Sequence, residues 1–272
     1  MTDGTDTVEG SARAQGDLWG ERARDWADII EGWNGWGIPL YRHVLERVPV
    51  GSGTKILDVG CGAGRFCRIA ADRGAQVAGI DATRPFVEIA RERIPDGDFR
   101  LGEMEDLPWA DDSFDVVTGF NSFFIAADIV NALREARRVA RPTASMAMTV
   151  FGRPERSQSP SVFASLAQFA PTPSSGEKEE GPALHEEGVL ERMAAEAGLT
   201  PVEAGYVRVP EDYPDLETML RGYMAAAPFV RAARSAGAEA VRAALSQALQ
   251  PLKVSSGRYR LEDEVRYLIA AA

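Results

Sequence analysis

The residues best suited to chemistry lie in the glycine-rich stretch 56–66, which begins within a short apolar run. Glycine stands at every second position of its loop, at Gly60, Gly62 and Gly64. Glycine adopts backbone angles that a Cβ atom would forbid, and it lets a ligand lie against the main chain. A helix that begins at such a loop adds free N–H groups and a partial positive charge. The pattern predicts a ligand-binding loop between a strand and a helix.

An acidic residue stands where a second ligand contact would be needed. Asp81 follows Gly64 by 17 residues and comes at the end of the second predicted strand. A carboxylate there can accept hydrogen bonds from both hydroxyls of a ribose at the carboxyl edge of an open α/β sheet. A dinucleotide-binding loop has the spacing GxGxxG, whereas this loop has GxGxG preceded by Asp58. The difference indicates a zwitterionic amino-acid moiety, rather than a pyrophosphate, against the loop.

The elements that must position these residues alternate between strands and helices. Short apolar runs predict strands, and stretches with helical periodicity lie between most of them. The predicted strands are 55–59, 76–80, 99–101, 114–119, 145–151, 202–209 and 265–270. The predicted helices between them include 64–73, 84–93, 128–139 and 186–197. This alternation predicts an α/β fold with a parallel sheet that is covered by helices on both faces.

The segments outside this alternation are expected to cover the sheet. Residues 1–16 are small, polar and acidic, which predicts a disordered tail, and residues 17–272 are expected to form a single domain. Pro-, Ser- and Gly-rich sequence predicts a flexible lid, and Ala- and Leu-rich sequence predicts a helical cap. The expected parts of the domain are an N-terminal helical lid at 17–49, a ligand-binding core at 50–152, the flexible lid at 153–184 and the cap at 213–250.

The charge balance narrows the classes of partner. The chain of 272 residues has 30 Lys and Arg against 41 Asp and Glu, a formal net charge of −11. Nucleic acids and anionic membranes both attract basic surfaces, so we expect neither as a partner. Cys61 and Cys67 are too few for a disulfide framework, which suits a cytoplasmic protein. No segment predicts a secretory signal or a membrane span.

Four motifs together resemble the class I S-adenosylmethionine-dependent methyltransferases, in the small-molecule branch of that family. They are DVGCGAG at 58–64, GIDAT at 79–83, GEMEDLPW at 102–109 and DSFDVV at 112–117. The resemblance covers about residues 50–152. It implies S-adenosyl-L-methionine as the cofactor. It also implies a Rossmann-like, seven-stranded, mostly parallel sheet of order 3-2-1-4-5-7-6 with its last strand antiparallel, the cap being inserted between the last two strands.

The resemblance also implies roles for individual residues around the adenosine. The adenine would lie between Ala82 and the pair Glu103 and Met104, with Asp81 as the ribose ligand. The Glu103 carboxylate would meet the exocyclic amine, and the Met104 N–H would meet a ring nitrogen. The family usually has Asp at position 103. Glutamate is longer by one methylene, so its side chain must adopt a different conformation to make this contact. A second departure is Thr143, which begins a Thr-Ala pair where the family commonly has Gly-Gly.

At the other end of the cofactor, the resemblance places the methionine moiety against the glycine loop. The implied contacts are Asp58, Gly60, Cys61, Gly62, the carbonyls near Phe120 and Asn121, and Trp26 from the N-terminal helix. The alternative for Trp26 is a place in an apolar core stripe, since it lies seven residues after Trp19.

Aromatic residues are the candidates for the acceptor-binding site. Trp33 and Trp36 lie in a glycine-rich loop, which favours a lid over an apolar acceptor. Phe123 and Phe124 follow the fourth strand at the carboxyl edge of the sheet, where they either line the acceptor site or pack against a helix. Tyr223 lies on the apolar face of the cap. The alternative for the cap is a packing or dimerisation element, which would make the protein a homodimer.

A general base is optional in methyl transfer from a sulfonium, because alignment of the reacting atoms supplies much of the rate. His185 is the candidate base, since it precedes a helix next to the flexible lid. Its alternative is a solvent-exposed position at the start of that helix. His43 lies in a helix before the first strand, where packing is expected. No cluster of ligand residues predicts a metal site.

These observations favour methyl transfer to a small, largely apolar acceptor in secondary metabolism. One alternative keeps the fold and the cofactor pocket for a reaction without methyl transfer, such as a cyclisation. A second is a catalytically inactive, cofactor-binding or regulatory protein. A macromolecular acceptor is disfavoured for nucleic acids by the acidic charge and stays open for proteins.

Overall fold

The structure, a computed structural model, describes residues 10–33, 35–169 and 182–272, without the side chains of residues 10, 11 and 33. Within these residues seven strands form one sheet in the order β3-β2-β1-β4-β5-β7-β6. The strands are β1 (Lys55–Val59), β2 (Gln76–Asp81), β3 (Asp98–Leu101), β4 (Phe114–Phe120), β5 (Ala140–Phe151), β6 (Thr200–Tyr213) and β7 (Tyr259–Ala271).

The strand directions agree with the expected fold. Strands β1 to β5 pair in parallel, and β7 runs antiparallel to both β5 and β6. The Rossmann-like order and the antiparallel last strand are therefore confirmed. Since parallel strands share a direction, the carboxyl ends of β1, β2 and β4 meet at one edge, where the glycine loop lies.

Helices cover both faces of the sheet. They are α1 (Gly10–Gly20), α2 (Ala23–Asp25), α3 (Ile38–Leu45), α4 (Arg65–Ala71), α5 (Arg84–Arg93), α6 (Ile129–Val139), α7 (Ser159–Phe163), α8 (Val189–Glu196), α9 (Leu216–Tyr223), α10 (Ala227–Ala236) and α11 (Ala238–Leu249). A π-helical segment (Trp26–Trp33) follows α2. In the described part of the chain, no helix combines the length and the apolar character needed to cross a membrane.

The central strand β1 shows why the sheet is buried on both sides. Leu57 and Val59 pack on one face in a core that includes α6 and α8. Ile56 points to the opposite face and packs in a core with residues of α3, α4 and α5. The run is therefore apolar at nearly every position, as expected for a central parallel strand.

The N-terminal region departs from its prediction. Residues 10–16 were expected in a disordered tail, but they belong to α1. Leu18 is buried against Ala227 and Val230 of α10, so the helix has an apolar surface to cover. A Cβ atom on Gly16 would lie 2.3 Å from the Ala82 carbonyl oxygen, so glycine allows α1 to rest on the end of β2. The small and polar residues of this segment gave no sign of the contact in the sequence.

The predicted flexible lid is also wrong for residues 153–169, which form α7 and short 3-10 turns. The Asp263 carboxylate of β7 accepts hydrogen bonds from the N–H groups of Gln158 and Ser159, at 2.8 and 2.9 Å. Val162 of α7 is 0% exposed, in the core formed with the cap. These contacts fix a segment whose Pro- and Ser-rich sequence resembles a loop. The part of the predicted lid at 170–181 lies outside the described residues.

Every strand except β1 is longer than its apolar run predicted, and the differences are largest for β5, β6 and β7. Strand β6 continues to Tyr213 because Pro210 and Glu211 pair with Glu262 and Leu261 of β7. Proline is tolerated there because β6 is an edge strand and its other side needs no N–H donor. The sequence did not predict this end of β6, because proline and acidic residues are rare in strands. The pairing with β7 keeps it extended.

Substitution of Val162 tests whether the 153–169 segment is part of the folded core. We expect Val162→Ala to lower the free energy of unfolding by roughly 1–3 kcal/mol, since it leaves a cavity in a packed site. Val202→Ala is the matched control because Val202 is 67% exposed on β6, and it should change stability little. Urea unfolding would measure both, and equal stability of the two variants would contradict the packing described.

Candidate functional site

A cavity of about 850 Å³ opens at the carboxyl edge of the sheet. It is lined by the ends of β1, β2 and β4, and it is covered by residues of α1, the π-helical segment, α9 and α10. This volume is in the range of cofactor and small-molecule sites. A second cavity of about 790 Å³ lies beside β6 and β7, and none of the predicted site residues lines it.

The glycine loop adopts the conformation that its sequence requires. Gly60 and Gly62 have φ angles of +73° and +53°, in the left-handed region. A Cβ atom on Gly60 would lie 2.3 Å from Cβ of Ser122, and one on Gly62 would lie 2.5 Å from Oε1 of Glu31. The loop is therefore pressed against two neighbouring elements, and side chains at either position would displace it.

Asp81 is bonded to the loop itself. Its carboxylate accepts hydrogen bonds from the N–H groups of Gly62 and Thr83, at 2.9 and 2.8 Å. Burial raises its pKa, while these two bonds act in the opposite direction. A carboxylate can accept about four hydrogen bonds, and the two N–H donors occupy only two of these positions. The others can accept hydrogen bonds from a ligand.

Glu31 is a functional-site residue that the sequence reasoning missed. Its Oε1 accepts a hydrogen bond from the Ala63 N–H at 2.9 Å, and its Oε2 pairs with Arg93 at 2.6 Å. The side chain is buried, and burial raises its pKa. It joins the π-helical segment to the glycine loop. Its partner Arg93 lies 62 residues further along the chain, so no local spacing signals the pair.

Asp58 is 3% exposed and receives a hydrogen bond from the Thr118 hydroxyl at 2.7 Å. Burial, with a smaller contribution from the nearby acids Glu31 and Asp81, raises the pKa of Asp58 to about 8. Glu103 also lines the cavity, and partial burial raises its pKa. Of the carboxyl groups that line the cavity, these four lie in an environment that penalises negative charge, which suits a cationic ligand.

The Met104 N–H has a partner within the protein. It donates a hydrogen bond to Oε1 of Glu103 at 3.1 Å. The resemblance had assigned this donor to an adenine ring nitrogen. The extra methylene of glutamate allows its carboxylate to fold back onto the following N–H, so a ligand contact here requires the Glu103 side chain to rotate.

The predicted cofactor contacts are brought together. The cavity wall includes Trp26, Asp58, Gly60, Cys61, Gly62, Asp81, Ala82, Glu103, Met104, Phe120 and Asn121. Trp26 packs edge-on against Trp19 at 4.8 Å between ring centroids, and both line the cavity. Their roles toward a cofactor stay predictions.

The predicted acceptor residues divide into three groups. Trp36, Phe124 and Tyr223 line the cavity. Phe123 does not line it, because its side chain is buried in the sheet core against Gly119, so the structure favours its packing alternative. The side chain of Trp33 lies outside the described residues. The sequence reasoning missed one aromatic residue of the cavity wall, Phe151. Its ring centroid lies 5.4 Å from that of Phe124.

The two histidines lie in different places. His185 lines the cavity, and its backbone carbonyl accepts a hydrogen bond from the Tyr206 hydroxyl at 2.9 Å. His43 packs edge-on against Tyr267 at 4.5 Å between ring centroids. Burial lowers the pKa of His43. The geometry thus keeps His185 as the candidate base and gives His43 the packing contact expected of it.

Residues 57–148 match a family profile described as "Methyltransferase domain". This segment of the chain is therefore similar to a methyltransferase domain. The matched segment contains the glycine loop, Asp81 and the pair Glu103 and Met104, so the resemblance drawn from these motifs is confirmed.

Curated relatives match less than half of the chain. Methyltransferase GfsG from Streptomyces halstedii is 36% identical over 119 residues, covering 41% of this chain and 43% of that protein. The 27-O-demethylrifamycin SV methyltransferase from Amycolatopsis mediterranei is 31% identical over 143 residues, covering 49% of this chain and 53% of that protein. The chain thus spans about half of the length of these relatives.

A solved structure is similar beyond the methyltransferase domain. The crystal structure of the (4+2)-cyclase SpnF aligns over 97% of this chain and 97% of that chain, with a TM-score of 0.64 and 21% sequence identity. Because almost the whole chain is covered, the similarity in fold extends to the N-terminal helices and the cap.

The raised pKa of Asp58 predicts how stability depends on pH. The folded state favours protonated Asp58, so this group contributes stability that is full below about pH 4 and is lost as pH rises toward 8. Asp58→Asn keeps an uncharged group at the same place. Its stability relative to wild type should therefore increase by up to about 1.4 kcal/mol per pH unit over that window.

Urea unfolding of the ligand-free protein at pH 5, 6.5 and 8 would measure this difference. Asp96→Asn is the control, because Asp96 is an exposed acid. A stability difference between Asp58→Asn and wild type that does not vary with pH would contradict the assignment.

Proposed function

We propose that this protein is an S-adenosylmethionine-dependent methyltransferase that acts on a small, largely apolar acceptor in secondary metabolism. The observation that carries the proposal is the glycine loop, bonded through Gly62 to the Asp81 carboxylate at the wall of a large cavity. The methyltransferase domain supports the reaction class.

The residues of one half of the cavity fit this cofactor, which supplies a methyl group on a sulfonium. Asp81 has acceptor positions for the ribose hydroxyls, and Ala82 and Met104 provide apolar surface for the adenine. The buried carboxyls of Glu31 and Asp58 suit the positive charges at the methionine end.

The other half of the cavity supports an apolar acceptor. Phe124, Phe151 and Tyr223 line it, together with Trp36 and Phe163. Such a wall binds apolar surface and excludes water from the reacting groups. His185, which also lines the cavity, is the candidate base. A relative whose name denotes methylation of a rifamycin derivative supports a small-molecule acceptor.

A cyclisation without methyl transfer is the second candidate. It is supported by the near full-length similarity in fold to SpnF, which is described as a (4+2)-cyclase. Incubation with a low-molecular-weight extract of the source organism and cofactor labelled at its methyl group distinguishes the two. Label in an extract compound supports the first candidate, whereas a new product without label supports the second.

Asp81 tests cofactor binding directly. Wild type should bind S-adenosylmethionine in isothermal titration calorimetry. Asp81→Ala should weaken binding by about 100-fold or more, because it removes acceptors for the ribose hydroxyls from a buried site. The control is Asp96→Ala, at an exposed position outside the cavity. Full affinity in Asp81→Ala would overturn the ribose assignment, and no binding by wild type would overturn the function.

Cofactor binding should also release protons near pH 7. With its pKa raised to about 8, Asp58 is largely protonated there, and a positive charge nearby favours its ionised form. Calorimetry in buffers of different ionisation enthalpy would count the protons. We expect fewer protons from Asp58→Asn and none with adenosine, which carries no positive charge. Equal release by wild type and Asp58→Asn would contradict the role of Asp58.

A further inference from the structure

The side chain of Asn121 is fixed at the end of β4 by one neighbour. Its backbone N–H donates hydrogen bonds to the carbonyl and the hydroxyl oxygen of Thr149, at 3.1 and 3.0 Å. The Thr149 hydroxyl donates in return to Oδ1 of Asn121 at 3.0 Å. Thr149 is fully buried on β5. This pair therefore sets the orientation of the Asn121 carboxamide.

The other end of that carboxamide has no partner among the described residues. Nδ2 of Asn121 is buried and makes no hydrogen bond, although the residue lines the cavity. Buried donors are nearly always paired, and leaving one unpaired destabilises the folded state. Since Thr149 occupies Oδ1, the N–H donors of the amide are left for a group inside the cavity.

The backbone of Asn121 is also in an unusual conformation. Its φ angle is +50°, and among the described non-glycine residues only Asp112, at +55°, also has a positive φ. Such strain persists where the surroundings enforce it, and it clusters at ligand sites. Here the double hydrogen bond to Thr149 enforces it.

The neighbours of Asn121 place it between the two halves of the cavity. The next residue, Ser122, contacts the glycine loop, since its Cβ lies where a Cβ on Gly60 would clash. Phe124, three residues on, packs against Phe151 in the aromatic wall. The unpaired donor therefore lies where the cofactor half meets the acceptor half.

We propose that Nδ2 of Asn121 donates a hydrogen bond to an oxygen atom of the acceptor, which makes the substrate a hydroxyl-bearing compound such as a phenol or enol. An oxygen that accepts this bond keeps a second lone pair for bond formation. An amine nitrogen has a single lone pair, which the donor would occupy. This inference rests on the proposed function and names its substrate class.

Three probes of matched shape test the donor without requiring turnover. They are 2-methoxynaphthalene, 2-(methylamino)naphthalene and 2-ethylnaphthalene, which place an oxygen, an N–H or a methylene at the same position. Equilibrium dialysis would measure their affinities with S-adenosylhomocysteine at saturation. Wild type should bind the methoxy probe about fivefold more tightly than either other probe. Preference for the methylamino probe would overturn the proposal.

Measured at about pH 9, above the raised pKa of Asp58, Asn121→Asp is the decisive variant, because ionised aspartate has the same shape, tolerates positive φ and replaces the donor with an acceptor. It should abolish the preference for the methoxy probe and favour the methylamino probe. Gln247→Glu makes the same amide-to-acid change at an exposed position of α11 and should leave the wild-type order. An unchanged preference in Asn121→Asp would overturn the proposal.

Two further measurements separate the possible roles. Thr149→Val removes the hydroxyl that orients the amide, so it should reduce the preference for the methoxy probe. Thr149→Ser keeps a hydroxyl and should retain that preference. Asn121→Asp should bind S-adenosylhomocysteine within twofold of wild type. A loss above tenfold, with the probe preference intact, would assign Asn121 to the cofactor and overturn the proposal. Failure of the proposed function itself would differ, since wild type would then not bind S-adenosylmethionine.

Discussion

The glycine loop keeps its shape because one buried and one partly buried carboxylate accept hydrogen bonds from consecutive N–H groups. Asp81 accepts the bond from Gly62, and Glu31 accepts the bond from Ala63. One acid comes from the end of β2 and the other from the N-terminal lid, so the loop is held from both sides. The sheet edge, the lid and the cavity wall all depend on this arrangement. Acids that stabilise a loop in this way remain at the cavity surface, where a ligand also meets them.

The lid and the cap are joined by contacts of two kinds. Leu18 packs into an apolar cluster with residues of α10, whereas Arg234 pairs with Glu21 and Arg221 pairs with Asp25 on partly exposed surface. Exposed ion pairs typically contribute only about 0–1 kcal/mol. The apolar contact therefore supplies most of the attachment, and the ion pairs fix the register between the two elements. A cavity closed by such contacts can admit ligands without unfolding of the sheet.

The sequence predicted the features that depend on local pattern. Strand β1 and helix α5 have the predicted bounds, since an apolar run and a helical pattern mark them, and the resemblance supplied the strand order. The sequence did not predict the pairing of Glu31 with Arg93 or of Asn121 with Thr149. These partners lie 62 and 28 residues apart and meet only when the sheet and its helices assemble. Residues 153–169 were misread for the same reason, because their order comes from Asp263 on a distant strand.

Under the proposed function, the acids around the cavity would also discriminate among adenosine compounds. Asp81, Glu31 and Glu103 lie in a partly dry site, where a further negative charge is strongly disfavoured. Adenine nucleotides and dinucleotides share the adenosine group but carry phosphates, so like-charge repulsion raises their free energy in this cavity. Discrimination among compounds with the same base and sugar then needs no steric barrier. For a cavity that binds the proposed cofactor, the composition of the wall itself would then disfavour the phosphorylated adenosine compounds of the cell.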